Sequence, residues 1–289
     1  VLYLDTEDPA GEVAWQEKEQ GDLYAKPYFY KDRLVSVRMM PFSVTTRYRS
    51  TGKLIGRRDI EDLTLRNDHP LLKNRRRIYP ITHDRERLVL NGSGYYIMID
   101  ITNLRTIWKR LMDVTANSAV RMELNGDYLA IIKKDYDVES IYMLDSRTGK
   151  LLWRTDPKDS KSTQPMYSMR MRAGKLFGLR KHPGQGFYFT GIDCKTGKSL
   201  FKQITLKGYE TSPAVRLRSN FYGNHLVAEV KDRQDFELKA LDTTNGKLSH
   251  TVKIKGLGDF GQHGRASCTV QNGCMAIHGK NTVKIAVKQ

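Results

Sequence analysis

The sequence predicts an all-β fold, a β-propeller of four-stranded antiparallel blades. A phrase made of an apolar run, an aspartate, a Thr-Gly-Lys turn and a second apolar run recurs along the 289 residues, with its turn glycine or substitute at Gly11, Gly52, Leu104, Gly149, Gly197 and Gly246. The spacing of 41 to 52 residues suits one blade per repeat. Short runs of Val, Ile, Tyr, Phe and Leu between Gly, Asn, Asp and Lys turns fill the intervals, and sustained helical periodicity is hard to find. A four-stranded unit with one apolar face cannot stand alone, so successive units must stack around an axis and bury those faces against one another.

In chain order the phrases are LYLDTEDPAGEVAW from Leu2, TTRYRSTGKLIG from Thr45, IMIDITNLRTIW from Ile97, YMLDSRTGKLLW from Tyr142, TGIDCKTGKSLF from Thr190 and KALDTTNGKLSH from Lys239. Each reads as the outer hairpin of a blade. Its aspartate and threonine bond turn amides, its glycine takes a positive φ, and its terminal aromatic fills the gap between blades. The N-terminus supplies only two outer strands, Leu2 to Asp5 and Glu12 to Trp15. The interval ending at Trp153 resolves into Ala119 to Leu124, Tyr128 to Lys133, Ser140 to Leu144 and Leu151 to Arg154, with turns at Asn125-Gly126 and Thr148-Gly149. The C-terminus supplies three strands, Ala266 to Val270, Cys274 to His278 and Thr282 to Val287. Five repeats are complete and six to seven blades are represented. Either the two ends share a closing blade with one strand surplus, or the single domain over residues 1–289 is a portion of a longer chain whose ring has seven or eight blades. The start within a blade, without a methionine, favours the second.

Lys and Arg number 49 against 32 Asp and Glu, a formal net charge of +17. Such a surface favours polyanions through counterion release, without choosing among nucleic acid, lipid headgroups and acidic polysaccharide; no specific nucleic-acid contact is encoded. The balance of 39% hydrophobic and 28% charged residues excludes a disordered chain. No run approaches the roughly 20 apolar residues of a membrane-spanning helix, and no signal peptide is visible at the start. Cys194, Cys268 and Cys274 are an odd set. The Asn272-Gly273 turn pairs Gln271 with Cys274 and Cys268 with Ile277, which puts the last two cysteines on opposite faces, so free buried thiols are expected. The seven histidines show no metal-ligand spacing, and Gly184-Gln185-Gly186 reads as a hairpin turn rather than a phosphate cradle. Neither a catalytic, a metal nor a cofactor site is expected.

The phrases around Asp145 and Asp193 resemble the LD-x-x-TG-K-x-x-W signature of the quinoprotein-like, or PQQ-like, repeat family. Trp15, Trp108 and Trp153 hold its tryptophan position and Phe201 is an aromatic replacement; Gly56 and His250 depart from it, and the signature is blurred at Tyr48 and Leu104. WD40 and kelch spacings do not recur. The resemblance implies a propeller, and it implies one of two branches. Dehydrogenases of the family hold a quinone near adjacent cysteines, on a tryptophan, beside calcium and a catalytic aspartate. Adjacent cysteines are absent here, all three tryptophans fall at repeat positions, and Asp100, Asp145, Asp193 and Asp242 fall in repeat turns. The resemblance therefore implies the BamB-like non-catalytic branch: a protein-binding or scaffold domain in the periplasm or cell envelope. A polyanion-binding module is the alternative, and a degenerate quinoprotein dehydrogenase the least favoured.

Two basic features are candidate contact surfaces. Lys73, Arg75, Arg76 and Arg77 lie in a linker between blades. Arginine also recurs in the first strand of four successive units, at Arg121, Arg170 with Arg172, Arg216 with Arg218, and Arg265. First strands line a propeller's channel, so Arg121, Arg170, Arg216 and Arg265 are expected to face an anionic ligand or an acidic partner, provided their registers agree.

Overall fold

The computed structural model describes residues 2–4, 13–16, 27–38, 43–60, 81–84, 86–92, 95–112, 119–135, 138–155, 166–182, 186–201, 204–206, 216–222, 224–232, 235–254, 267–271, 274–278 and 287–288. Every regular element among them is a strand. A two-stranded sheet pairs β1 (Leu2–Leu4) with β2 (Val13–Gln16). Five four-stranded antiparallel blades follow. The first contains β3 (Tyr28–Tyr30), β4 (Arg33–Arg38), β5 (Ser43–Tyr48) and β6 (Leu54–Asp59). The second contains β7 (Ile81–His83), β8 (Arg87–Gly92), β9 (Tyr95–Asp100) and β10 (Thr106–Leu111). The third contains β11 (Ala119–Asn125), β12 (Tyr128–Asp135), β13 (Val138–Asp145) and β14 (Leu151–Arg154). The fourth contains β15 (Met166–Arg172), β16 (Lys175–His182), β17 (Gly186–Asp193) and β18 (Ile204–Leu206). The fifth contains β19 (Arg216–Tyr222), β20 (His225–Asp232), β21 (Asp235–Asp242) and β22 (Lys247–Ile254). A three-stranded sheet ends the chain with β23 (Ser267–Gln271), β24 (Cys274–His278) and β25 (Val287–Lys288).

The sequence boundaries hold to within a residue or two in the third blade. Of the expected last strand, Thr282 to Val287, residues 282–286 lie outside the described residues and Val287 falls in a strand, Val287–Lys288. The hairpin register at Cys268↔Ile277 and Gln271↔Cys274 is the one the Asn-Gly turn dictates. Two compact units divide the chain, residues 1–136 with 140–156 and residues 137–139 with 157–289.

Each outer hairpin is fixed by its own side chains. Asp145 Oδ1 accepts from the Arg147 and Thr148 amides at 3.0 and 2.8 Å and from the Thr148 hydroxyl at 2.8 Å, while Thr148 Oγ1 accepts from the Lys150 amide. Asp193 repeats this with Thr196, and Asp100 and Asp242 with Thr102 and Thr244. Gly149, Gly197 and Gly246 take φ near +70°, as the turn demands.

A β-bulge precedes the aromatic position in several outer strands. The register slips between Thr46 and Arg47, Thr106 and Trp108, Met143 and Leu144, and Ala240 and Leu241. The bulge leaves the next side chain turned inward. Trp108 is buried, donates its indole N–H to the Ser146 carbonyl at 2.8 Å, and lies so close to Gly149 of the third blade that a Cβ there would meet Trp108 Cδ2 at 2.7 Å. Phe201 lies against Gly246 in the same way. Between the first and second blades the sizes are exchanged: Gly56 stands at the aromatic position, Leu104 at the glycine position, and a Cβ on Gly56 would meet Leu104 Cδ1 at 3.2 Å. The two departures from the repeat therefore compensate each other.

Apolar side chains fill the space between these sheets. One cluster joins Val35, Val37 and Val44 to Leu88, Leu90, Ile97 and Leu104; the next joins Tyr96, Met98 and Trp108 to Met122, Leu124 and Ile131. In the second unit Phe177, Leu179 and Phe189 pack with Leu226 and Leu241. Burial on this scale supplies the stability that the turns alone cannot.

Candidate functional site

First strands of successive blades lie side by side within each unit, β7 with β11 and β15 with β19. The Leu124 amide donates to Thr82 Oγ1 at 3.3 Å across one such seam. Within each hairpin the register fixes the height of every arginine. Arg121 stands four residues before Asn125, which pairs with Tyr128; Arg170 stands two before Arg172, which pairs with Lys175; Arg216 stands six before Tyr222, which pairs with His225. These even offsets give the three positions the same strand parity. Their distances from the turn differ, two residues of strand being about 7 Å, and Arg218, not Arg216, stands as far from its own hairpin turn as Arg121 does from its own.

Arg121 and Arg170 are exposed and alternate with buried Met122, Leu124, Met169 and Met171. Arg121 belongs to the first unit and Arg170 to the second. Arg170 Nη1 donates to the Met169 carbonyl at 3.3 Å. Arg265 and the linker residues Lys73, Arg75, Arg76 and Arg77 lie outside the described residues.

Several other arginines act in a way the sequence reading missed. Arg58 donates to the Leu104 carbonyl at 2.5 Å and to Thr106 Oγ1, and Arg110 donates to the Gly149 carbonyl at 2.7 Å. Both stand two residues beyond the aromatic position and reach the turn of the following blade. Arg33 and Arg87, each opening a second strand, do likewise, to the Thr102 carbonyl and to Ser146 Oγ with the Gly126 carbonyl. Arg87 also chelates Asp84. The signal was present in the repeat spacing of these arginines. Their carbonyl acceptors carry no formal charge, so part of the +17 is spent on holding blades together without being neutralised.

Two further groups combine aromatic rings with titratable side chains. On the first strands of the first and second blades, the Tyr28 and His83 rings stack at 3.6 Å, nearly parallel. Burial, with the Asp84 charge, pushes the Tyr28 phenol up; burial holds His83 below its usual value against the opposing pull of Asp84. In the second unit Arg180 Nη2 lies 3.8 Å from Glu139 Oε1, both largely buried, beside the buried Tyr188 phenol. Burial raises the Tyr188 pKa, and the Arg180 charge opposes the rise. Burial and then Asp193 push the Cys194 thiol up to about 12, which makes it an inert core residue.

Among the described residues no group of three His, Cys, Asp or Glu side chains could hold a metal ion. Among the described residues Trp108 is committed to Gly149 and Ser146, and the repeat aspartates accept the amides of their own turns. No described helix is long and apolar enough to cross a membrane.

A structure of Kluyveromyces lactis Hsv2 with complete loop 6CD aligns at a TM-score of 0.48 with 14% identity, over 88% of this chain and 69% of that one. A second Kluyveromyces lactis Hsv2 structure aligns at 0.49 with 16% identity, over 88% and 70%. No curated protein matches the sequence. Residues 4–247 match the family described as outer membrane protein assembly factor BamB, built from PQQ-like repeats, a span that reaches just past the turn at Gly246 in the fifth blade. The chain is a β-propeller and belongs to that family.

Proposed function

We infer that this chain is a non-catalytic propeller domain that binds other proteins as a scaffold in the periplasm or cell envelope. The observation that carries the reading is how the repeat's reactive side chains are used. Asp100, Asp145, Asp193 and Asp242 each cap their own turn, and Trp108 plugs a blade seam. What remains at the surface is a frame of hairpins with exposed apolar and basic groups, suited to recognition. The family's description as an assembly factor supports a protein partner and an envelope setting. A photoreactive amino acid at Leu152 or Leu248, both exposed, is expected to yield discrete crosslinks to envelope proteins in intact cells. Recovery of the native protein from the cytosol, or dye reduction after addition of pyrroloquinoline quinone and calcium, would overturn the reading.

A second reading, polyanion binding, is favoured by the shared parity of Arg121, Arg170 and Arg216 on their first strands. Sulfate and polyphosphate would then stabilise the protein beyond their general salt effect, by mass action on the native state. The double replacement Arg170→Gln with Arg216→Gln should remove that increment. An unchanged increment excludes those two arginines and moves attention to Arg265 or to the linker from Lys73 to Arg77.

A further inference from the structure

We propose that Asn125 is a site of spontaneous deamidation, and that the isoaspartate it forms releases the bracket joining the second blade to the third. The proposal is independent of the protein-binding reading. The reaction needs an asparagine followed by a residue whose amide nitrogen can reach the side chain, and glycine hinders that approach least. The Gly126 nitrogen attacks Asn125 Cγ, its proton reaches the departing amide through solvent, and the Cγ–Nδ2 bond breaks as ammonia leaves, giving a succinimide ring. Water then opens the ring at either carbonyl. Opening at Cγ gives aspartate, and opening at the main-chain carbonyl gives isoaspartate; each route consumes one water and changes no oxidation state.

Three Asn-Gly pairs fall among the described residues, and the fold restrains two of them. Asn91 is buried, and it and Gly92 pair with Tyr96 and Tyr95 in the ladder of the second blade. Asn245 is exposed but clamped: its Nδ2 donates to Asp242 Oδ2 at 2.8 Å, its Oδ1 accepts from the Lys247 amide at 2.8 Å, and the Gly246 amide donates to the Asp242 carbonyl at 2.8 Å. Phe201 crowds this turn as well, since a Cβ on Gly246 would meet its Cδ1 at 2.6 Å. Asn125 and Gly126 are both exposed, where Gly126 and Asp127 loop back to Tyr128. Among the described residues no counterpart of those bonds holds the Asn125 side chain or the Gly126 amide, and a Cβ on Gly126 would meet nothing within 4 Å. The ring therefore has room to form. The Gly126 carbonyl accepts from Ser146 Oγ at 2.8 Å and from Arg87 of the second blade, and the Ser146 carbonyl in turn accepts the Trp108 indole. Isoaspartate lengthens the main chain by one carbon just before the Gly126 carbonyl, which shifts that acceptor away from the seam it serves.

The test holds the folded protein at mildly alkaline pH, samples it over days and maps its peptides by mass spectrometry. Asn125 is expected to convert about tenfold or more faster than Asn245, which must first break its hydrogen bonds. Methyl transfer by a protein isoaspartate methyltransferase should label the Asn125 peptide. In urea the two sites should convert at similar rates. Comparable rates in the folded protein, or a preference for Asn125 that survives unfolding, would overturn the site. The seam is read by thermal melting and by hydrogen exchange at the Trp108 indole. Aged wild-type protein should melt below the fresh protein and exchange that proton faster. Aged Asn125→Gln, whose longer side chain closes a ring far more slowly, should behave as it did when fresh. Fresh Asn125→Asp carries the new charge without the extra carbon and should melt with the fresh wild type. An equal fall in aged Asn125→Gln, or a fall of the same size in fresh Asn125→Asp, would overturn the link between isoaspartate and the seam.

Discussion

Leu104 adopts φ of 59° in a turn slot where Gly149, Gly197 and Gly246 stand in the other blades, and a leucine there carries about 1–2 kcal/mol of strain. The strain is offset because Leu104 is buried and fills the room left by Gly56. Gly56→Trp alone should collide with that leucine, and Leu104→Gly alone should leave a void; losses of about 2 kcal/mol or more are expected for each. The double variant restores the ordinary arrangement, so chemical denaturation should show a coupling of about 1–3 kcal/mol in its favour, whereas simple additivity would show that the two sites do not sense each other. The turn aspartates make a second prediction. Burial works against the Asp145 carboxylate, yet the Thr148 hydroxyl and the Thr148 and Arg147 amides hold its pKa below the ordinary value; Thr196 does this for Asp193 and Thr244 for Asp242. A depressed native pKa stabilises the fold above the unfolded value, near 4, and that stability is lost as pH falls through the native one. Melting temperature should therefore drop on acidification below about pH 4, and Asp145→Asn with Asp193→Asn and Asp242→Asn should flatten the drop.

At the scale of the strand and its hairpin, the bulge and the aromatic after it work as one device: the extra residue bends the outer strand so that the next side chain enters the seam. Trp108→Ala should cost about 3–5 kcal/mol. Trp108→Phe keeps most of the packing but strands the Ser146 carbonyl, so about 1–3 kcal/mol of that loss should remain. Trp153 is only partly buried, and Trp153→Ala should cost less than Trp108→Ala in the same denaturation series. The hairpins were legible because their chemistry is local: Asp145, Thr148, Gly149 and Lys150 sit within six residues of chain and act on one another. The repeat spacing of the bracketing arginines was legible but their acceptors were not, since Arg58 donates to the carbonyl of Leu104, 46 residues away, and the backbone carbonyl of any residue would serve. The distance of each first-strand arginine from its own turn was hidden for another reason. It depends on where each hairpin turns, and the phrase AVRMEL reads the same whether its arginine lies two or four residues from that turn.

Over the whole molecule the surplus of positive charge has to coexist with compact packing. Self-repulsion among charges of one sign destabilises a folded chain and is screened by salt over a Debye length of about 8–10 Å near physiological ionic strength. Raising sodium chloride from low to moderate concentration should therefore raise the melting temperature. A fall would show that ion pairs such as Arg180–Glu139, rather than repulsion, dominate the balance. The exchanged pair at Gly56 and Leu104 has a consequence for how such a chain can change. Blades of one pattern are interchangeable parts, so a repeat can in principle be duplicated, deleted or recombined with its neighbour and still find a seam that fits. The seam between the first and second blades does not allow it. A tryptophan-bearing blade moved to the first position would strike Leu104, and the first blade moved elsewhere would face a turn glycine with nothing to fill the gap. Those two residues give the order of the blades an address, and they fix at one point a sequence of parts that the rest of the repeat leaves free to shuffle.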